Sequence, residues 1–224
     1  MAKEKPRLER ETIAMRVARE LEDGDVVNLG IGIPTLVSNY IASDKTIIFH
    51  SESGVLSFGP LATEMEHMNI NLINAGGQFI TPKPGMCFFH SADAFAMMRG
   101  GHIDVAVLGA LQVSEKGDLA NWMLPERGIG NVGGAMDLVA GAKRVIITME
   151  HNDKNGKPKI LKECSYPLTG KGCIDLIITD IAVLQVIREG LLLKEVAPGW
   201  TPGEVQALTE PLLIVSPNLQ EIAL

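Results

Sequence analysis

Continuous aliphatic runs of four or five residues recur along this chain, separated by segments of helical spacing. Val26-Val27-Asn28-Leu29, Thr46-Ile47-Ile48-Phe49-His50, Asp104-Val105-Ala106-Val107-Leu108 and Val145 to Met149 are such runs. Ile70-Asn71-Leu72-Ile73-Asn74 reads as another, with further strands expected at 174–179, 191–196 and 212–215. A run without polar alternation is a strand covered on both faces, the mark of a buried parallel sheet. Between the runs lie expected helices at 7–22, where Ile13, Val17 and Leu21 recur every fourth residue, and at 34–42, 91–98, 136–142 and 202–208. Pro34 suits the first turn of its helix. This alternation predicts an α/β domain built on a single open, largely parallel or mixed sheet with helices on both faces. No linker, internal repeat or low-complexity tract divides it, so residues 1–224 are expected to form one domain; 152–159 reads as a polar turn.

In such folds ligands gather beyond the carboxyl ends of the strands. The glycine-bearing segments after residues 29, 50, 74 and 108 are expected there. Composition narrows what they hold. Hydrophobic residues make up 46% and charged residues 21%, enough for an ordinary globular core, while 4% aromatics leave no stacking ladder for single-stranded nucleic acid. The net charge is −7 and no dense basic stripe appears, which disfavours phosphate-backbone binding. Three widely spaced cysteines, Cys87, Cys164 and Cys173, fit neither a disulfide framework nor a CxxC site, so a reduced, cytoplasmic setting is expected. No apolar run approaches the ~20 residues of a membrane span, and the charged N-terminus lacks a signal core.

Several short motifs invite chemistry. Gly128 to Gly134 (GIGNVGG) matches a dinucleotide fingerprint, with Glu150 placed as a ribose-binding acid. The fingerprint requires a preceding strand, and the preceding stretch 121–127 is polar and proline-bearing. A glycine loop feeding a helix still suits an oxyanion or phosphate. Thr169-Gly170-Lys171-Gly172 fails the phosphate-loop spacing. His50 with Glu52, and His90 with Asp93, are read as hydrogen-bonded loop residues more readily than as metal ligands, since no clustered His/Cys set accompanies them. Met97-Met98 reads as core, and Trp122 and Trp200 as core or interface. Glu52 stands apart: it follows an apolar strand and is flanked by Ser51, Ser53 and Gly54. A carboxylate on a rigid strand end with small neighbours suits a nucleophile or general base, although by spacing alone an ordinary loop carboxylate is the commoner reading.

Longer segments carry more. NLGIGIPT (28–35), HSESG (50–54), NAGGQ (74–78), HSADAFAMMRGGHIDVAVLGALQVS (90–114), GDLANW (117–122), GGAMDLVAGAKRVIITMEH (133–151) and CSYPLTG (164–170) resemble the B (beta) subunit of the 3-oxoacid coenzyme A transferases, including relatives acting on 3-oxoadipate, acetoacetate and butyrate. The resemblance runs from about residue 8 to about 220.

The resemblance implies an open α/β fold shared with sugar-phosphate isomerase-like enzymes and a reaction moving CoA from an acyl-CoA to a free carboxylate. It implies Glu52 as the nucleophile, through an acyl-glutamyl anhydride and a glutamyl-CoA thioester, and the backbone N–H groups of Gly133 and Gly134 as oxyanion donors. No permanently bound cofactor is implied, coenzyme A thioester being the substrate. The implied partner is a separate A subunit, in a heterotetramer with the active site at the interface, and no nucleic acid or membrane. The family's usual S-E-N-G reads Ser51-Glu52-Ser53-Gly54 here, exchanging an amide for a smaller hydroxyl. That exchange keeps an acyl-CoA hydrolase open as an alternative, beside a non-catalytic assembly subunit of the same fold.

Overall fold

A computed structural model of the chain describes residues 5–128 and 130–223. The elements are α1 (Arg10–Ala18), β1 (Val26–Leu29), α2 (Ile33–Leu36), β2 (Ile48–Ser51), β3 (Val55–Leu56), β4 (Cys87–Phe88), α3 (Ser91–Arg99), β5 (Val105–Gly109), β6 (Gln112–Ser114), β7 (Leu119–Ala120), α4 (Ala135–Gly141), β8 (Arg144–Met149), β9 (Ile160–Leu161), β10 (Leu176–Thr179), β11 (Ala182–Ile187), β12 (Gly190–Val196), α5 (Pro202–Ala207) and β13 (Leu213–Glu221). Ten strands form one mixed sheet in the order β13-β12-β11-β10-β8-β5-β1-β2-β3-β4. The stretch β10-β8-β5-β1-β2 is parallel throughout; β11 and β12 join one side antiparallel, and β3 and β4 the other.

The continuous aliphatic runs follow from what covers the two faces. Side chains alternate across a strand. Val105, Val107, Ile146, Leu176 and Ile178 pack on one face with Ile13 and Val17 of α1 and Ile33 of α2. Ala106, Leu108, Val145, Ile147 and Ile177 pack on the other with Met98 of α3, Leu138 of α4 and Val205 of α5. Each fully buried Val, Ile or Leu contributes about 1.5–3 kcal/mol, so a polar residue on either face of these strands is a loss unless it is used.

The structure departs from the sequence expectations in several places, three of which shape the surroundings of the site. Residues 70–74 are not a strand: Ile70 is 81% exposed, and Ile73 makes only an isolated bridge to Phe79. Asparagine chemistry wins there, because Asn69 Oδ1 accepts from the Asn71 N–H and Asn74 Oδ1 from the Gly76 and Gln78 N–H groups, folding the segment into turns. The helix expected over 34–42 stops as α2 at Leu36 and runs on only as a 3₁₀ turn, Val37–Asn39. The Thr35 and Ser38 hydroxyls donate to the Gly32 and Thr35 carbonyls, competing with the helical ladder. Finally the sheet is not single: β7-β6-β9 forms a second, three-stranded sheet that the short runs at 112–120 and 160–161 did not announce.

Candidate active site

The chain leaves β1 through α2 to reach β2 on one side, and returns through α3 to β5 on β1's other side. A crevice opens at such a reversal of strand order, outside the carboxyl ends of the strands. Here it is a cleft of about 350 Å³ whose lining includes Asn28, Gly30, Glu52, Gly109, Gly133 and Gly134.

Glu52 sits one residue past β2, half-buried, in a turn fixed from several sides. The Gly54 N–H donates to the Ser51 carbonyl at 3.0 Å, and the Phe89 N–H donates to the Gly54 carbonyl at 3.0 Å. Gly54 has φ +96°, and a Cβ there would stand 2.0 Å from the Phe89 carbonyl oxygen, so only glycine fits. The Ser51 and Ser53 hydroxyls lie 3.0 Å apart, and the Ala75 N–H donates to Ser51 Oγ at 2.9 Å. The segment after residue 74, expected at a strand end, therefore reaches the site as a loop that braces the Glu52 turn.

Parallel pairing of β1 with β2 sets Asn28 opposite His50. Asn28 Nδ2 donates to His50 Nδ1 at 3.0 Å and lies 3.4 Å from Glu52 Oε2. Both Asn28 and His50 are 1% exposed, and among the described residues neither Asn28 Oδ1 nor His50 Nε2 has a hydrogen-bond partner. Burial pushes the His50 imidazole below its ordinary pKa, against the Glu52 carboxylate and the backbone at Ala94, which pull it up.

The Gly133-Gly134 segment crosses to the same carboxylate. A Cβ built on Gly134 would lie 3.4 Å from Glu52 Oε1, so bare backbone runs beside the acid. The Gly133 and Gly134 N–H groups meet no acceptor among the described residues, and α4 begins at Ala135. The wall opposite is tied down by Asn121, which donates to the Gly109 carbonyl at 3.0 Å and accepts from Thr169 Oγ1 at 2.6 Å. The structure thus brings Glu52, Gly133 and Gly134 together at the mouth of one cleft.

The other motifs lie elsewhere. A 3₁₀ turn, Pro125–Arg127, and no strand precedes Gly128; Ile129 of that motif lies outside the described residues. Glu150 forms an exposed ion pair with Arg10 at 3.0 Å. His90 caps α3, its Nδ1 accepting from the Ala92 N–H. Met98 is wholly buried; Trp122 Nε1 donates to the Leu168 carbonyl, and Trp200 Nε1 to the Pro6 carbonyl, with Lys5 and Arg7 over its ring. Burial pushes the Cys164 and Cys173 thiols up to about 11, which makes them poor nucleophiles. Among the described residues no three His, Cys, Asp or Glu side chains converge as metal ligands. Sequence reasoning missed Asn28 and read His50 only as a loop residue or metal ligand. The one available signal was an amide inside an aliphatic run, where a polar side chain needs a reason.

The profile of the family described as Coenzyme A transferase matches residues 10–208. The B subunit of the 3-oxoadipate CoA-transferase of Acinetobacter baylyi is 49% identical over 210 residues, covering 93% of this chain and 96% of that protein. Human mitochondrial succinyl-CoA:3-ketoacid coenzyme A transferase 2 is 51% identical over 213 residues, which is 94% of this chain but 41% of that protein. The chain therefore spans about two-fifths of the length of its mammalian relatives. Among solved structures, an acyl-CoA transferase from Escherichia coli O157:H7, captured as a thioester complex with CoA, superposes with a TM-score of 0.74 at 22% identity, over 98% of this chain and 44% of that one.

Proposed function

The chain belongs to the coenzyme A transferase family, and from that premise we propose that it is the nucleophile-bearing B subunit of a 3-oxoacid CoA-transferase. The observation that carries the reading is the Glu52 carboxylate held between the Asn28 amide and the bare backbone of Gly134, at the mouth of a cleft.

The chemistry follows from that placement. Glu52 Oε1 attacks the thioester carbonyl of the donor; the C–S bond breaks and CoA leaves as its thiolate, giving an acyl-glutamyl anhydride. The thiolate then attacks the glutamyl carbonyl, the anhydride C–O bond breaks, and the donor acid departs with Oε1, leaving a glutamyl-CoA thioester. The acceptor carboxylate reverses both steps and restores the free Glu52 carboxylate. The tetrahedral intermediate on the donor acyl carbon carries an oxyanion, and the unused N–H groups of Gly133 and Gly134 are its donors; one preorganised donor is typically worth about 2.7–4 kcal/mol. A serine nucleophile would form a lower-energy ester, whereas the anhydride and the thioester both keep the acyl group activated.

Both intermediates hydrolyse if water reaches them, and the cleft is open in this chain alone. We assign its cover to a separate A subunit, in an A₂B₂ heterotetramer. The naming of the Acinetobacter relative as one subunit of its enzyme supports a partner chain. An apolar surface also adjoins the cleft. Ile31, 70% exposed, lines the cleft and approaches Gly76, and the exposed Met68 and Ile70 line an open groove of about 710 Å³. The three unpaired cysteines suit a reducing, cytoplasmic compartment, and no described helix is long and apolar enough to cross a membrane.

The test is CoA transfer by the co-expressed A/B complex, from succinyl-CoA to a panel of 3-oxoacids, with free thiol followed in parallel. Acceptor-dependent transfer that falls by at least about a thousandfold in Glu52→Gln supports the reading. Thiol release at the same rate without any acceptor would show a hydrolase instead.

A further inference from the structure

We propose that His50 is a positioning residue for the nucleophile: its unprotonated Nδ1 fixes the Asn28 amide so that the NH₂ group, and not the carbonyl, faces Glu52. The inference rests on the reading of Glu52 as nucleophile and adds the device that aims it.

An amide nitrogen only donates, so its two hydrogens need two acceptors. Asn28 Nδ2 has them: His50 Nδ1 at 3.0 Å and Glu52 Oε2 at 3.4 Å. With the amide reversed, Oδ1 would face the carboxylate, acceptor against acceptor. The orientation with Nδ2 inward requires a lone pair on His50 Nδ1, hence a neutral ring with its proton on Nε2. The surroundings favour a neutral ring. The ring is 1% exposed, the Phe89 ring lies 6.3 Å from it, and burial disfavours the imidazolium. Among the described residues the arrangement leaves both Asn28 Oδ1 and His50 Nε2 buried without a partner, a poor choice for stability alone and one that asks for a functional reason.

The reason lies in which oxygen Asn28 holds. It binds Oε2, while Oε1 lies on the Gly134 side. If Oε1 attacks the acyl group, it leaves with the donor acid, and Oε2 remains as the carbonyl oxygen of the anhydride and then of the glutamyl-CoA thioester. When thiolate or acceptor carboxylate adds to that carbonyl carbon, the electron pair of the C=O bond moves onto Oε2, where the Asn28 N–H meets it. Collapse returns the pair and expels the leaving group. His50 never touches substrate; it keeps the donor pointed at this oxygen. Asn28 and His50 are rigid because each sits in a central strand, on facing register positions.

The experiment uses the A/B complex with succinyl-CoA as the probe and reads the single-turnover rate of CoA attachment to this chain by intact mass, with the succinyl-CoA KM measured alongside. His50→Leu, which has no acceptor, is expected to slow attachment at least tenfold while KM stays within about twofold, a misplacement effect. His50→Gln, whose Oε1 can accept from Asn28, is expected to restore most of the rate. In wild-type complex with ¹⁵N-labelled histidine, the His50 signal is expected to show protonated Nε2 and bare Nδ1, a readout that needs no variant to fold. A wild-type attachment rate in His50→Leu, with Glu52→Ala inert, would overturn the positioning role and leave the nucleophile standing. A His50 proton on Nδ1 would overturn it too. CoA attachment persisting in Glu52→Ala would remove the nucleophile and this inference with it.

Discussion

Gly54 and Gly134 both bear on Glu52, for different physical reasons. Gly54 is required by the backbone: at φ +96°, with the Phe89 carbonyl 2.0 Å from any Cβ, an alanine has nowhere to go. Gly54→Ala is expected to destabilise the chain by more than about 2 kcal/mol and to displace the Glu52 turn, read as a lowered urea midpoint. Gly134 is open by contrast. Its φ of −90° suits any residue, and an added methyl would meet Glu52 Oε1, Glu52 Cδ and the flexible end of Met98 at 3.4–3.5 Å. Gly134→Ala is therefore expected to fold within about 1 kcal/mol of wild type while slowing transfer tenfold or more, because the methyl fills space beside the carboxylate that the acyl group must enter. Equal losses of stability in the two variants would contradict this division. At this scale the sequence singled out Glu52 by its strand-end setting and, with the Gly133-Gly134 pair, by the family resemblance; the structure sets Glu52 beside Gly134 in one cleft. Asn28 and His50 were not legible, since their partnership exists only once β1 and β2 pair in register.

Elements were legible where one physical signal dominated. β8 is a plain aliphatic run between charged and polar flanks, and α3 lies between a capping His90 and Gly100-Gly101. β11 was lost because only Asp180-Ile181 separates it from β10, too little to read as a boundary. The same scale explains what anchors α1. Arg16, with 8% of its side chain exposed, holds Glu195 of β12 at 2.6 and 2.8 Å and Glu20 at 2.8 Å, and Arg144 of β8 closes the group on Glu20. Burial works against the Arg16 charge, but the two glutamates outweigh it and raise its pKa. Arg16→Ala strips the guanidinium from the partly buried Glu195 and Glu20 and is expected to cost about 3 kcal/mol by urea denaturation. Arg16→Ala combined with Glu195→Ala should cost less than the two single changes added together.

Across the whole molecule, His151 ties distant parts together. It is fully buried, contacting Thr179 at the end of β10 through Nδ1 at 3.0 Å and Thr209 after α5 through Nε2 at 2.8 Å. Burial, with the Arg7 and Lys159 charges, lowers its pKa to about 3. The unfolded chain binds this proton near pH 6.5, so the stabilisation is complete above that pH and is lost as pH falls towards 3, at up to about 1.4 kcal/mol per pH unit. The urea midpoint is expected to drop between pH 7 and pH 5, and His151→Asn should flatten that drop; an unchanged slope in the variant would exclude His151 as its source. The outer surface makes a separate prediction: Ile70→Asp is expected to weaken assembly with the A subunit at least tenfold, in a titration calorimetry experiment, while leaving this chain folded. The central claim is that Glu52 carries coenzyme A. Intact mass of the A/B complex after addition of succinyl-CoA tests it most directly. A CoA-sized adduct is expected that maps to the Glu52 peptide, vanishes on addition of a 3-oxoacid and never forms in Glu52→Ala; a folded complex that turns over substrate with no such adduct, or that carries it on another residue, would remove Glu52 as the carrier.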